Sequence, residues 1–184
     1  MNPSKEDIQI VIDGCLKNDR RAQDELHKRY YPALMALCLR YVRQPGDAVE
    51  VLNDAYLKVF EQLAHYDAAK AAFYTWMRKI VINTALDSIR KQKALRDRRT
   101  RAPENEEPGI DNEAISKLSG DELLGLIRQL PVTTRLVFNL YNVDGFSHRE
   151  IASMLGISEG TSRWHLSDAR RQLKLIINLM EPKS

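Results

Sequence analysis

Aromatic and basic side chains alternate along one stretch of this sequence, between Phe73 and Lys91. The stretch opens with Phe73 and Trp76, and its cations are Arg78, Lys79, Arg90 and Lys91. This pattern suits single-stranded nucleic acid, because bases stack on aromatic rings while cations follow the phosphates. In the alternative interpretation the rings are core anchors and the cations are merely solvated. We expect a mixture of the two, with at least one ring buried.

A second segment with nucleic-acid character covers residues 146–170. Ser147 and Glu150 are spaced as a capping box for a short helix. Gly156 suits a turn with positive φ, and Ser158 suits the cap of a longer helix. This order is typical of a helix-turn-helix, which lays its second helix in the DNA major groove, although a helical hairpin without DNA binding is the alternative. Three arginines on the second helix favour DNA binding, since phosphates attract cations: Arg163, Arg170 and Arg171.

The sequence contains no catalytic constellation, no glycine-rich phosphate loop and no metal-ligand spacing. The histidines are scattered and lack neighbours that would make them general bases; they are His27, His65, His148 and His165. We therefore predict neither an enzyme, nor a cofactor, nor a metal site. Cys15 and Cys38 fall at apolar helix positions, which favours reduced core thiols over a disulfide.

No apolar run approaches the length of a membrane span, and the charged N-terminus lacks the pattern of a signal peptide. The composition, 43% hydrophobic and 29% charged, is that of an ordinary globular chain. The sequence therefore predicts a cytoplasmic protein with no membrane insertion.

Apolar residues recur at helical spacing along most of the chain, which predicts an all-α fold. The predicted helices ahead of the helix-turn-helix cover 4–17, 20–42, 47–64, 73–91, 121–129 and 132–143. Ser4, Asp47 and Ser119 are the predicted caps of three of them. Pro32 predicts a kink or a break within the second helix, and Pro45-Gly46 predicts its end.

The helix over 47–64 carries two apolar stripes. One stripe predicts the core-facing side and consists of Val49, Leu52, Tyr56, Val59 and Leu63. The other stripe lies beside acidic residues and consists of Val51, Leu57 and Phe60. This second stripe is either a surface for a protein partner or part of a wider core face. In the helix over 132–143, the side chains predicted to point inward are Leu136, Val137, Leu140 and Tyr141.

The charge of the chain is divided into blocks, although the net charge is only +3. Nine cations and two acids lie between residues 78 and 101, and seven acids and one cation lie between residues 103 and 122. Apolar periodicity is lost over 93–118, where prolines and a glycine lie among the charges. We interpret 93–118 as a flexible linker between two small helical domains, 1–92 and 119–184. In a simpler interpretation the two blocks are solvated faces.

Three segments in this order resemble the sigma factors of the extracytoplasmic-function (ECF) type, within the sigma-70 family. They are YYPALMALCLRYV at 30–42 with DAVEVLNDAYLKVF at 47–60, TWMRKIVINTALDSIR at 75–90, and LP at 130–131 with GFSHREIASMLGISEGT at 145–161. A helix-turn-helix alone is shared by many regulators, whereas the three together are specific. The resemblance implies two helical domains, sigma region 2 and sigma region 4, that bind RNA polymerase core and read two promoter elements.

The resemblance also implies roles for particular residues. Contacts with the clamp helices of the largest polymerase subunit fall on Val49, Glu50, Asn53, Asp54 and Phe60. Recognition and melting of the −10 element fall on Phe73, Trp76, Arg78, Lys79, Asn83, Arg90 and Lys91, with the loop 65–71 setting which base is flipped out. Recognition of the −35 element falls on Thr161, Arg163, Trp164, Ser167, Asp168, Arg170 and Arg171. An anti-sigma factor is a further partner that the family implies.

Two positions of the second helix depart from the family pattern. Trp164 stands where a small or polar residue is usual, and Asp168 stands where a cation is common. Asp168 suits either acceptance from a cytosine amino group or pairing with Arg170 or Arg171, and we favour the pairing. Trp164 suits either a contact with a thymine methyl or sugar, or cover by a protein partner. The promoter sequence therefore does not transfer from relatives.

Two functions fit these features. The first is an alternative sigma factor that acts only with polymerase. The second is a stand-alone helix-turn-helix regulator whose N-terminal half senses a signal or dimerises. Because the second leaves the aromatic and basic stretch 73–91 unexplained, we favour the first.

Overall fold

A computed structural model describes residues 5–42, 44–97 and 125–180 of the chain. Every regular element in these ranges is a helix, as the apolar periodicity predicts. The chain separates into two compact units, 1–95 and 96–184, which are described in turn. Among the described helices, none has both the length and the apolar character needed to cross a membrane.

Four helices build the N-terminal unit. They are α1 (Lys5–Leu16), α2 (Arg20–Tyr41), α3 (Pro45–Gln62) and α4 (Phe73–Asp97), and a 3₁₀ turn, Leu63–His65, follows α3. Both α1 and α3 pack against α2. The core is made of buried apolar side chains from α2, α3 and α4, among them Leu26, Leu34, Leu37, Leu52, Met77, Ile82 and Leu86. Burying each such side chain contributes roughly 1.5–3 kcal/mol, so packing rather than helix propensity holds the unit together.

Pro32 lies inside the second helix as predicted, whereas Pro45 does not end a helix. Pro32 lies inside α2, which continues through it as one helix. Pro45 is the first residue of α3 and Gln44 is its N-cap, so the prediction that Pro45 ends a helix and Asp47 caps the next is wrong. The first helical turn needs no backbone donor, and the fixed φ of proline suits it. Asp47 lies in that turn, where its carboxylate faces the positive end of the helix dipole.

The predicted core-facing stripe of α3 is buried at Leu52, Tyr56 and Val59, and at Leu63 in the turn that follows, but not at Val49. Val51 is 2% exposed and shares the buried face with Ala48, Leu52 and Ala55, whereas Val49 is 41% exposed. Each residue of an α-helix is rotated by about 100° from the last, so Val51 lies on the same side as residues three and four positions away. The prediction that Val49 faces the core is therefore wrong.

α4 is buried on most of its circumference. Of the positions whose spacing predicts a core face, Met77, Ile80, Val81, Thr84 and Ala85 are buried and Ile89 is half-buried; Ile82 and Leu86 are buried as well. The helix continues to Asp97, through the first five residues of the predicted linker. The rest of that linker, and the predicted caps Ser4 and Ser119, lie outside the described residues.

Three helices build the described part of the C-terminal unit after a helical turn at 125–127. They are α5 (Val132–Phe138), α6 (His148–Leu155) and α7 (Glu159–Met180), and a π turn, Asn139–Val143, continues α5. Both α5 and α6 pack against α7. Fully buried side chains at Leu130, Leu140, Ile151 and Leu173 form the centre of this unit.

The π turn corrects one prediction about the inward-facing side chains. Leu140 is buried as predicted, but Tyr141 is 37% exposed. The N–H of Asp144 donates to the carbonyl of Asn139 at 2.9 Å, a bond between residues five apart. Because this turn holds more residues than an α-helical turn, the apolar stripe changes phase and Tyr141 faces outward.

The local signals of the helix-turn-helix are confirmed. Ser147 caps α6, and Glu150 returns the bond by accepting from the Ser147 N–H at 2.8 Å. Gly156 ends α6 with φ of 67°, which a residue with a Cβ adopts only with strain. Ser158 Oγ accepts from the N–H of Thr161 at 2.9 Å, so it caps α7.

Cys15 and Cys38 are buried free thiols, as predicted. Burial raises the pKa of Cys15 to about 11 and that of Cys38 to about 12. Such thiols carry almost no thiolate at neutral pH, so both residues act as small apolar members of the core.

α1 and α2 approach closely at Gly14, where a Cβ would lie 2.6 Å from the Cβ of Ala22. Gly14→Ala should lower the free energy of unfolding by about 1–2 kcal/mol, because overpacking costs more than the helix propensity of alanine returns. Adding Ala22→Gly should restore most of the loss. Urea denaturation measures each variant, with Gly46→Ala as the control because no atom lies within 4 Å of its Cβ position. A stability of Gly14→Ala equal to that of the unchanged protein would contradict the close approach.

Candidate functional sites

One side of α3 forms an exposed surface of mixed character. Two apolar side chains protrude from it: Leu57 is 63% exposed and Val49 is 41% exposed. Glu50, Asn53 and Asp54 are exposed beside them, and Phe60 is half-buried at one end. We call these six residues the α3 surface. The sequence prediction of a polymerase contact included all of them except Leu57, which its helical spacing from Asn53, Asp54 and Phe60 could have added.

Phe60, at one end of the α3 surface, is supported by the side chain of Tyr56. The ring of Phe60 stacks on that of Tyr56 with centroids 6.3 Å apart, and the Tyr56 hydroxyl donates to the carbonyl of His27 at 3.2 Å. Burial raises the pKa of the Tyr56 phenol, so it stays a hydrogen-bond donor at neutral pH. The α3 surface therefore rests on α2 through a fixed aromatic contact.

The exposed side of α4 is a narrow strip. Trp76 is half-buried, and Lys79, Asn83 and Arg90 are exposed. Their spacings of three, four and seven residues place these four on one side of the helix, over a length of about 21 Å. We call them the α4 strip. A ring followed by an amide and two cations can stack a base, bond to a base edge and follow a phosphate backbone.

Two other predicted −10 contacts lie elsewhere on α4. Arg78 is two residues from Trp76, which places it about 160° round the helix. Lys91 is exposed, but it lies about 100° round the helix from Arg90. Neither residue therefore extends the α4 strip.

Phe73 is 4% exposed, so its prediction as a direct DNA contact is wrong. Its ring meets Tyr66 edge-on at 5.0 Å and lies 5.7 Å from Tyr30 of α2 and 5.6 Å from Trp76. As the first residue of α4, it points a large apolar ring into the core, where it supports Trp76. The expectation that at least one aromatic ring is buried is confirmed.

An acidic residue lies among the cations of α4. Asp87 accepts from Arg90 Nη1 at 2.7 Å and lies 3.7 Å from Lys58 Nζ of α3. Lys58 also donates to Thr84 Oγ1 at 3.2 Å. This cluster joins α3 to α4 and holds the Arg90 guanidinium in the unbound protein.

The first half of α7 presents four of the predicted −35 contacts to solvent, namely Thr161, Arg163, Trp164 and Ser167. The Trp164 side chain is 46% exposed, with its ring edge-on to that of His165. Arg163 Nη2 donates to Glu159 Oε2 at 3.0 Å, one turn earlier. These are the positions that a helix in the major groove offers to base edges.

Asp168 does not belong to this exposed face. Its side chain is 7% exposed and accepts from Arg171 Nη2 at 2.8 Å, from Gln172 Nε2 at 2.8 Å and from Thr134 Oγ1 at 3.4 Å. The predicted contact of Asp168 with DNA is therefore wrong, because α5 covers that side of α7. The pairing with Arg171 that we favoured from the sequence is present. Arg170 instead donates to Asn142 Oδ1 in the π turn, at 3.2 Å.

A histidine links the two helices of the helix-turn-helix. Sequence reasoning missed this contact. His148 Nδ1 lies 2.9 Å from Ser162 Oγ of α7, and its ring stacks on Tyr141 with centroids 4.5 Å apart. Burial, with the nearby Arg163 guanidinium, lowers the pKa of His148 below its usual value. The neutral ring therefore fixes α6 against α7 without adding charge. No local signal joins residues 14 positions apart.

Within the described residues, no three acidic, histidine or cysteine side chains converge so as to hold a metal ion. The surfaces described above offer stacking, hydrogen bonds and charge.

Two family models match the chain: Sigma-70 region 2 matches residues 26–95, and Sigma-70, region 4 matches residues 120–173. By sequence the chain is similar to the ECF RNA polymerase sigma-E factor of Escherichia coli strain K12, with 29% identity over 90% of this chain and 91% of that protein. It is also similar to the RNA polymerase sigma-H factor of Pseudomonas aeruginosa, with 27% identity over 92% of this chain and 93% of that protein.

Two solved structures share the fold. The sigma factor RpoE in complex with the anti-sigma factor NepR, from Bartonella quintana, has a TM-score of 0.55 and 19% identity, covering 86% of this chain and 98% of that one. CnrH in complex with the cytosolic domain of CnrY has a TM-score of 0.51 and 20% identity, covering 94% of this chain and 97% of that one.

The burial of Asp168 gives a test of its role. Asp168→Ala should lower the free energy of unfolding of the C-terminal unit by about 1–3 kcal/mol, because three donors lose their acceptor. Ser167→Ala, one residue away and exposed, should change it by less than about 0.5 kcal/mol. Thermal denaturation followed by circular dichroism measures both. If Asp168→Ala kept full stability and lost only promoter discrimination, Asp168 would be a base reader after all.

Proposed function

Because this chain belongs to the sigma-70 family, as a sigma factor of the ECF type, we propose that three of its exposed surfaces divide the work of promoter-specific initiation. As an alternative sigma factor, the chain binds RNA polymerase core and promoter DNA and directs the initiation of transcription. The α3 surface binds polymerase, the α4 strip takes the −10 element, and the exposed face of α7 reads the −35 element. The chain itself performs no catalytic step.

The character of the α3 surface supports its assignment to polymerase. Leu57 and Val49 provide the apolar contacts that the centre of a protein interface needs, and acidic residues border them. Glu50 and Asp54 carry charge that favours a basic partner and speeds association. The partner in this proposal is the pair of clamp helices of the largest subunit.

The α4 strip is the observation that carries the proposed function. Opening a duplex costs a few kcal/mol of lost stacking for each step, which stacking on Trp76 offsets in part. Lys79 and Arg90 attract the phosphates of the opened strand, and Asn83 offers both a donor and an acceptor to a base edge. A stand-alone helix-turn-helix regulator binds closed duplex and has no use for this strip.

The C-terminal unit supports recognition of the more distant element. Arg163 and Trp164 lie on the exposed face of α7, while Arg171 is held by buried Asp168 and so presents its guanidinium in one orientation to the DNA backbone. In this proposal two domains, 1–92 and 119–184, are joined by the linker 93–118, so the two promoter elements are read by separate bodies.

The remaining assignments rest on the family. The protein works in the cytoplasm, at the nucleoid, where its promoters are. Both RpoE of Bartonella quintana and CnrH were solved with a protein partner, NepR and CnrY respectively, and an anti-sigma factor of this kind is our proposal for the present chain.

Reversing charge on the α3 surface tests its role. Asn53→Lys with Asp54→Lys should abolish co-purification with core polymerase, because two cations then face a basic partner across a desolvated contact. Gln9→Lys with Asp13→Lys is the matched control on α1, since it makes the same change of charge at exposed or half-buried positions. Both variants should keep the helical circular dichroism signal. Co-purification of the α3 variant at the level of the control would refute the assignment.

Arg163→Ala tests the face of α7. With core polymerase present, it should weaken binding to promoters by about 1–3 kcal/mol, and only where the upstream element carries the preferred base. Transcription in vitro from a promoter and its upstream-element variants measures the difference. An equal loss on every promoter would identify Arg163 as a phosphate contact. Tight duplex binding by the free protein, without polymerase, would favour the stand-alone regulator.

A further inference from the structure

The loop before α4 is closed by a single side chain. The hydroxyl of Tyr66 donates to the carbonyl of Ala71 at 3.0 Å, in a partly buried contact. The bond joins the first and last residues of the loop 66–71. Of the residues in this loop, Tyr66 is the only aromatic one. Three of the other five are alanines, which have little surface to bury and cannot hold the loop in shape by packing.

The inside of the loop is organised around Asp67. Its Oδ1 accepts from the N–H of Ala69 at 2.9 Å, and its backbone carbonyl accepts from the N–H groups of Lys70 and Ala71. Lys70 Nζ lies 3.3 Å from the Asp67 carboxylate. The hydrogen bond from the Ala69 N–H is the main cause that lowers the pKa of Asp67, and the hydrogen bond from the Lys70 side chain is the second. The carboxylate is therefore charged at neutral pH. The two charged side chains of the loop thus face each other.

Tyr66 also ties the loop to the α4 strip. Its ring meets Phe73 edge-on at 5.0 Å and lies 5.3 Å from the ring of Trp76. Phe73 is buried and in turn contacts Tyr30 of α2. The position of the loop relative to Trp76 is therefore set by one aromatic ring that rests on the core.

A loop that takes a base out of a stack must hold its own groups still, because ordering a flexible segment on binding weakens the complex. Asp67 and Lys70 face each other, and the N–H groups of Ala69, Lys70 and Ala71 are bonded within the loop, so the loop offers a base mainly the backbone groups that these bonds leave. Such groups discriminate between bases only when their positions are fixed.

We propose that Tyr66 is a positioning residue for the opened −10 element: it holds the backbone of the loop 66–71 beside Trp76 in the shape that accepts one unstacked base. This role rests on the proposed function of the α4 strip. It makes base choice depend on a hydroxyl that does not itself need to touch DNA.

Tyr66→Phe tests the proposal, because it removes the bond to Ala71 and keeps the ring. In holoenzyme made from the full chain, discrimination between the preferred base and the other three in the opened element should fall by about 2- to 10-fold, the range for one lost neutral hydrogen bond. Initiation rates on promoters that differ at that position measure it. Binding to core polymerase and discrimination at the upstream element should not change.

Tyr56→Phe is the matched control, because it removes the same kind of phenol–carbonyl bond between α3 and α2, away from the loop. It should lower stability to a similar extent and leave base discrimination intact, with both variants compared at core polymerase concentrations that saturate binding because Tyr56 also supports the α3 surface. The proposal is overturned if Tyr66→Phe keeps full discrimination, or if both variants lose activity equally on every promoter, which would mean a structural role alone.

A third variant separates this proposal from the function on which it rests. Lys79→Ala with Asn83→Ala changes only exposed members of the α4 strip, and should slow promoter opening, as followed by the fluorescence of 2-aminopurine placed in the opened element. If it opens promoters normally, the function of the α4 strip fails and the role of Tyr66 fails with it. If it is defective while Tyr66→Phe discriminates normally, only the role of Tyr66 is lost.

Discussion

The burial of α4 on most of its circumference constrains the rest of the N-terminal unit. Met77 and Ile82 lie about 140° apart round the helix, and both are covered. The longest row of positions left outside is the α4 strip, while Tyr74, Thr75 and Lys91 are exposed at other angles near the two ends of the helix. The same packing places α3 alongside α4, joined by Lys58 and Thr84. The α3 surface and the α4 strip are therefore parts of one core.

The cations of the two candidate DNA surfaces differ in how they are held. Arg90 and Arg163 are paired with Asp87 and Glu159 at exposed positions, where an ion pair contributes at most about 1 kcal/mol. A phosphate can replace either carboxylate at little cost. Arg171 is paired with Asp168, whose side chain is 7% exposed, so replacing this carboxylate by a phosphate would leave a buried charge unpaired. The exposed pairs also reduce attraction of the unbound protein to any polyanion.

The helix-turn-helix was predictable from sequence because its signals are local. The cap at Ser147 and the turn at Gly156 are decided by residues within four positions, and the structure confirms both. The errors at Val49, Phe73 and Asp168 share another cause. Whether each side chain is covered depends on a neighbouring helix distant in sequence, and periodicity alone does not say which side of a helix that neighbour takes.

For the same reason, contacts between residues that are distant in the chain could not be predicted from the sequence. His148 bonds to Ser162 across the turn, and Thr134 bonds to Asp168 from another helix, and no spacing rule relates either pair. Periodicity predicted only buried and exposed faces, whereas the family resemblance also predicted a partner for each exposed face. Which of the exposed residues touch polymerase or DNA stays a prediction, since each such contact depends on the shape of a second molecule.

The π turn at 139–143 has a consequence for how this unit tolerates change. It is the last turn before the chain leaves for α6, and the carbonyl of Leu140 also accepts from the N–H of Phe146 at 2.9 Å, beyond the Gly145 bend. Removing one residue there would let the segment relax to an ordinary α-helix and would rotate everything after it by about 100°. A substitution in this segment alters one contact, whereas a deletion would change the direction of both α6 and α7. The number of residues in this segment therefore sets the direction of α6 and α7 more than the kinds of residue do.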